Sequence, residues 1–121
     1  MTIAQVSKLY GLSADTLRYY ERVGLIPDVR RSQSGIRDYT DADCRWIEFI
    51  KCLRAAGLPI EALIEYVALA QAGEGTQIER MSLLMREREK LAERIEEQQK
   101  TLKHLDDKIA FYQNKMKEAQ N

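Results

Sequence analysis

The sequence is poor in the residues that staple, kink or polarise a chain. Cys44 and Cys52 are its two cysteines in 121 residues, too few for a disulfide framework. Pro27 and Pro59 are its two prolines, so long stretches are free to be helical. No apolar run approaches the ~18 residues that cross a membrane, and Met1-Thr2-Ile3 leads straight into an amphipathic pattern with no signal-peptide core. A cytoplasmic protein is therefore expected. One histidine, His104, is a thin basis for metal or acid–base chemistry. Net charge is also lacking: 19 Lys and Arg balance 19 Asp and Glu. That weighs weakly against a nucleic-acid binder. The distribution is slightly uneven, nine basic against seven acidic residues up to 60 and ten against twelve beyond. DNA binding must then be argued from geometry and motif and not from bulk charge.

What is present is a folded composition, 45% hydrophobic and 31% charged, long enough for one compact domain plus an appendage. Ile3, Val6 and Leu9 repeat at helical spacing and stop at Gly11. Ser13 is placed to cap a second helix, with Asp15 and Thr16 in its first turn and Leu17, Tyr20 and Val23 at core spacing before Gly24. Two short helices joined by Gly-Leu-Ser form a helix-turn-helix signature. Leu25-Ile26-Pro27 is extended, and Arg30 to Arg37 sets a Ser/Gln/Gly turn between basic arms, the pattern of a small β-hairpin wing. Thr40 caps a third helix whose Ala42, Trp46, Phe49, Ile50 and Leu53 share one face, and Gly57 ends it. Pro59 opens a fourth, with Ile60, Leu63, Ile64 and Val67 as its buried stripe, and Gly73 and Gly75 make a hinge.

From Thr76 to about Lys117 the chain has neither Gly nor Pro. Leu84, Arg88, Leu91, Ile95, Gln98, Leu102, Leu105, Ile109, Tyr112 and Met116 alternate spacings of four and three, a seam of nearly five heptads. At ~1.5 Å per residue that stripe spans roughly 50 Å, too long to hide against a head of about 75 residues. Self-pairing is the economical answer. The expected fold is mainly α: a winged helix-turn-helix head over residues 1–75, then a coiled-coil dimerisation helix over 76–121, antiparallel in a homodimer.

These marks together resemble the MerR family of bacterial transcription regulators. The resemblance rests on Ile3-Ala4-Gln5-Val6-Ser7, Thr16-Leu17-Arg18-Tyr19-Tyr20-Glu21 with Gly24-Leu25-Ile26, Gly35-Ile36-Arg37-Asp38-Tyr39 and the run Ile47 to Gly57. It implies a dimer bound to a palindromic operator in double-stranded promoter DNA. Such dimers bend and untwist a promoter whose −35 and −10 elements lie too far apart, so that RNA polymerase can use both. Each Ser13–Val23 helix would enter a major groove. Arg18 and Tyr20 then match DNA contacts, Arg18 through a guanine edge or phosphate and Tyr20 through its hydroxyl. Tyr19 fits either core or DNA. Arg30, Arg31, Arg37 and Tyr39 of the wing, and Arg54, match positions that hold the backbone. Arg37 and Tyr39 are the stronger of these, since Arg30 and Arg31 read equally well as solvated charges.

The resemblance also bears on the signal. Metal-sensing relatives carry cysteines at and after the dimerisation helix, whereas residues 76–121 hold none and His104 falls off the seam, so no metal site or cofactor is expected. A multidrug-binding domain of the kind some relatives add after the dimerisation helix is likewise not expected. Cys52, in Lys51-Cys52-Leu53-Arg54, resembles the third-helix cysteine of the aldehyde- and nitrosative-stress subgroup (the NmlR/AdhR type), which implies a thiol switched by a small electrophile. Lys51, Arg54 or Arg45 are placed in sequence to stabilise its thiolate, although a helix C-terminus disfavours an anion. Cys44 reads as lying on the polar side, without a role. Three alternatives stay open: an effector-independent architectural regulator with a structural Cys52, a thiol enzyme, and a coiled-coil scaffold whose head binds protein. The thiol enzyme lacks a base or resolving cysteine in reach, so no enzyme is expected.

Overall fold

In the computed structural model, residues 1–120 are described. They form α1 (Ile3–Tyr10), α2 (Ala14–Val23), α3 (Asp41–Ala55), α4 (Ile60–Ala72) and α5 (Gln77–Gln120). No helix among them is long and apolar enough to cross a membrane. The chain divides into two units, Met1–Met85 and the remainder of α5 from Arg86. The expected division at 75/76 falls in the two-glycine connection before α5, and the first unit continues into the first turns of that helix, where Leu83 is buried.

Capping residues set most of the boundaries. Thr2 accepts from the Gln5 amide at 3.2 Å while the Gln5 side chain accepts from the Thr2 amide at 2.8 Å, a reciprocal cap on α1. Gly11 closes α1 at φ 67°, a left-handed conformation that a Cβ would strain, and its N–H donates to the Ser7 carbonyl. Ser13 caps α2 by accepting from the Thr16 amide at 3.0 Å. Thr40 and Asp43 form a second reciprocal cap at the start of α3. Between α4 and α5 the Thr76 hydroxyl donates to the carbonyls of Leu69 and Gly73, both at 2.8 Å. The wing is a hairpin reduced to one bridge, Arg31 with Arg37. Ser32 N–H donates to Ile36 O at 2.7 Å and Asp38 N–H to Arg30 O at 2.8 Å.

The core gathers Val6, Leu17, Leu25, Ile26, Ile47, Ile50, Leu63 and Val67, all fully buried. Two faces differ from expectation. Leu9 is exposed, and Tyr10 packs on the core in its place. On α3 the buried stripe is Asp43, Cys44, Ile47 and Ile50, and Ala42 is exposed. Cys44 is thus a core residue and not a polar-side one. Trp46 and Phe49 lie on a flank, half-buried in an aromatic cluster with Tyr66 of α4 whose ring centroids are 5.7–6.4 Å apart. With Ala42 and Arg45 they line an open cleft of about 310 Å³.

Removing methylene groups from a closed core costs transfer energy plus a cavity, and the same cut on an exposed face costs neither. Ile47→Ala is expected to destabilise the protein by about 2–5 kcal/mol and Leu9→Ala by less than about 0.5 kcal/mol. Chemical denaturation of the two variants measures both. Equal losses would contradict the burial assigned to α3.

Candidate nucleic-acid interface

The second helix is amphipathic, and its two faces do different work. Leu17 and Tyr20 point into the core while Asp15 and Arg18 face solvent. Ser13 is exposed, but its hydroxyl is committed to the helix start, accepting from the Thr16 amide and donating to the Thr16 hydroxyl at 2.9 Å. Arg18 donates to Asp15 at 2.9 Å. That pair is exposed, and exposed ion pairs are worth only about 0.2–1 kcal/mol, so a phosphate or base edge can displace Asp15. Tyr19 is half-buried, with the Arg22 guanidinium 5.5 Å above its ring.

A carboxylate joins this helix to the wing. Glu21 Oε1 accepts from Arg37 Nε at 2.7 Å, and Oε2 accepts from the Val29 amide at 2.8 Å. The Glu21 and Arg37 side chains are 11% and 21% exposed. Burial pushes the Glu21 carboxyl up, but the bonds from Arg37 and Val29 and the charges of Arg37 and Arg31 outweigh it and hold the group below its usual range. Arg31 Nη1 donates to the Gly35 carbonyl at 3.0 Å across the wing turn. Arg30 lies 3.3 Å from Asp38, whose other oxygen takes the Met1 amino group at 3.2 Å. The amino group and Arg30 together lower the Asp38 carboxyl, which is a surface group.

Several expected contacts are placed otherwise. Tyr20 and Tyr39 are 7% and 3% exposed, members of the core. Burial raises both phenols. The Arg54 charge opposes it at Tyr20, and the Arg37 charge opposes it at Tyr39. Tyr39 therefore presents no surface to a duplex, contrary to the wing contact expected of it. Its hydroxyl is nonetheless buried without a hydrogen-bond partner, within the fields of Arg37, Glu21, Arg18 and Asp43. Arg54 is exposed, with Nη1 donating to the Leu58 carbonyl at 2.8 Å.

Cys52 is exposed and Cys44 buried. Two of the three cations expected near the Cys52 thiol are engaged elsewhere: Lys51 Nζ donates to the Tyr10 carbonyl, and Arg54 donates to Leu58. Cys44 lies beside the Tyr10 phenol. Burial raises that phenol, and Cys44 adds to the rise. Among the described residues no group of three His, Cys, Asp or Glu side chains could hold a metal ion. Along the expected seam, Leu84 and Leu91 are half-buried, while Ile95, Leu102, Leu105, Ile109 and Tyr112 are 45–58% exposed. Glu21 stands in the sequence motif with no role of its own; the signal for one is a carboxylate in the last turn of α2 ahead of a wing with three arginines.

An α1–α2 helix-turn-helix, a basic wing locked to α2 and a long C-terminal helix define the winged helix-turn-helix class. The MerR HTH regulatory-protein family matches residues 1–69, and the MerR DNA-binding family matches residues 44–108. The chain belongs to the MerR family of transcription regulators. It is 61% identical over 93 residues to the regulator AdhR of Bacillus subtilis, a stretch covering 77% of this chain and 66% of AdhR. An uncharacterised Haemophilus influenzae regulator is 34% identical over 93% of this chain and 83% of its own. A MerR-family regulator from Listeria monocytogenes superposes at TM-score 0.96 with 47% identity, covering 99% and 91% of the two chains. HiNmlR, described as a family member lacking the sensor domain and bound to promoter DNA, superposes at 0.84 with 34% identity over 93% and 90%. The chain stands with the AdhR- and NmlR-type members.

A carboxylate held below its ordinary range stabilises the fold above its unfolded pKa, near 4.3, and the benefit is lost as pH falls through the lower folded value. Glu21→Ala removes one partner from a mostly buried pair and is expected to cost about 1–3 kcal/mol at neutral pH. Glu21→Gln is expected to lose less, and to flatten the stability-against-pH curve below about pH 4.3. Urea midpoints from pH 2.5 to 7 measure this. An unchanged acid limb in the Gln variant would show that Glu21 carries no such linkage.

Proposed function

We propose that this chain works as a homodimer on a two-fold operator in double-stranded promoter DNA. It deforms a promoter with widely spaced −35 and −10 elements so that RNA polymerase can engage both, and modification of Cys52 switches it. The observation that carries the reading is the rigid pairing of α2, bearing exposed Arg18, with a wing bearing exposed Arg30 and Arg31. Arg18 is the base or phosphate contact. Arg30, Arg31 and Arg54 supply affinity through the backbone. Arg37 acts mainly as a strut, and Ser13 and Tyr20 hold α2 in place. The likeness to HiNmlR, described as DNA-bound, supports the site. Such a regulator acts on the chromosome, in the cytoplasm, and not as an enzyme.

Exposure favours Cys52 over Cys44 as the sensor. Its sulfur adds to the carbonyl carbon of a small aldehyde, and the carbonyl oxygen takes up the thiol proton. The likeness to AdhR supports this assignment. A second reading has one observation in its favour: Lys51 and Arg54 are spent on backbone carbonyls rather than on the thiolate. In that reading Cys52 is structural and the regulator answers to another signal or to none.

Arg18→Ala is expected to weaken operator binding by about 1–3 kcal/mol, and Arg31→Ala to lower the slope of log affinity against log salt by about 1 without changing sequence preference. Fluorescence anisotropy over a salt series measures both, and unchanged operator affinity in Arg18→Ala would refute the placement of α2 in the groove. Cys52→Ser is expected to abolish the transcriptional response to formaldehyde or methylglyoxal while leaving operator affinity intact. A normal response would select the second reading.

A further inference from the structure

Among the described residues of α2 only Asp15, Arg18 and Arg22 are exposed. They stand at i, i+3 and i+7 and so form one stripe on the face turned from the core. Two of the three suit a polyanion, and Asp15 does not. Its side chain is 95% exposed and that of Arg18 46%, and the two are joined by the 2.9 Å bond from Nη1 to Oδ1. The start of α2 does not need this carboxylate as its cap, because Ser13 accepts from the Thr16 amide. Nor does the wing need it, since both oxygens of Glu21 serve there. Arg22 lies two turns on, over the Tyr19 ring, too far to replace Arg18 as its partner. When Arg18 turns to the DNA, Asp15 is left bare against phosphates and base edges, and it must find a donor among them.

We propose that Asp15 reads a base, accepting from the N4 amino group of a cytosine within one base step of the Arg18 contact. This rests on the reading of α2 as the helix in the major groove and adds a base to it. An ionised carboxylate has acceptors and no donor. In the major groove guanine shows it two acceptors, N7 and O6, and thymine an acceptor beside a methyl group. Adenine offers its N6 amino group but sets the N7 acceptor beside it. Cytosine alone offers a donor with no acceptor of its own alongside. The acceptor next to that donor is O6 of the paired guanine, the atom an arginine takes. A guanidinium donor beside a carboxylate acceptor is thus matched by O6 beside N4. Three residues advance α2 by about 4.5 Å, against about 3.4 Å per base step, so Arg18 and Asp15 address the same or adjacent pairs. The charge also acts by exclusion. Where cytosine is missing, Asp15 faces acceptors and phosphates without compensation and weakens binding.

The test selects duplexes from a randomised library with the full chain and with its Asp15→Asn, Asp15→Ala and Arg18→Ala variants, and reads affinities by fluorescence anisotropy. The unsubstituted chain is expected to select a two-fold site with one cytosine per half preferred about five- to tenfold, the low end for a base-edge contact because the bond is single. Asp15→Asn is expected to turn that preference to adenine, whose N6 and N7 an amide grips together. Asp15→Ala is expected to accept any base there and to bind non-cognate duplexes more tightly than the unsubstituted chain. Selected bases that stay the same in both Asp15 variants would overturn the inference and leave Asp15 a first-turn acid that stabilises its helix, even if both variants melt earlier. A selected site with no cytosine whose preference depends on Asp15 overturns it equally. Arg18→Ala separates the two readings. If affinity and site are unchanged in that variant, α2 is not in the groove and both fall; if it weakens binding while Asp15→Asn keeps the cytosine, only the Asp15 contact falls.

Discussion

The head depends on one carboxylate with two jobs. Glu21 belongs to α2, yet both of its oxygens are spent outside that helix, one on the wing arginine Arg37 and one on the amide of Val29 in the segment leading to the wing. A buried carboxylate is costly unless its lone pairs are filled, and these two bonds fill the directions that matter. The wing has one β-bridge to hold it flat, so its stiffness must come from such side-chain ties. Both surfaces that would meet a duplex thus hang on one residue, and neither can turn without breaking a charge-assisted bond. On its other side α2 is fixed by Leu17 and Tyr20, fully or nearly buried in the core.

How far this was legible in the sequence differs by feature. Helix ends were readable because caps are local chemistry: Ser13, Thr40, Gly11 and Gly24 act within three or four residues, and each stands where expected. The long C-terminal helix was readable because residues 76–117 lack Gly and Pro and repeat a seam at spacings of four and three. Helix faces were harder. Periodicity on α3 finds an apolar stripe, but Trp46, Phe49, Ile47, Ile50 and Leu53 wrap wide enough that either flank fits. The fold chose the Cys44–Ile47–Ile50 flank because α1 and α2 lie there, and it left the aromatic flank to Tyr66. Cys44 was misplaced for that reason. Tyr39 was misplaced for another: a motif position reports a residue type, not whether its ring turns inward to the core. The Glu21 contacts span eight and sixteen residues, and no local rule pairs those positions.

The two cysteines show how one helix gives different chemistry at its two ends. Eight positions apart on α3, Cys44 is packed beside the Tyr10 phenol and Cys52 is open to solvent. A buried thiol behaves as a small apolar group. An open thiol is accessible, but access alone does not make a nucleophile. The cations that could favour its thiolate face the carbonyls closing α1 and the α3–α4 turn. Lys51 and Arg54 therefore stabilise chain ends first.

A chain with no net charge gains little from long-range attraction to a polyanion, since the field of 19 cations is offset by 19 anions and screened within about 8 Å at physiological salt. Binding energy must then arise at contact, from a few guanidiniums held where phosphates arrive. This makes rigidity more valuable than charge. Arg18 gives up only an exposed pair with Asp15 to bind, and Arg30 only an exposed pair with Asp38. The partly buried pair, Glu21 with Arg37, is the one that stays closed. The division is physical: weak surface pairs hold the exposed arginines Arg18 and Arg30, and a strong interior pair fixes the frame that carries them.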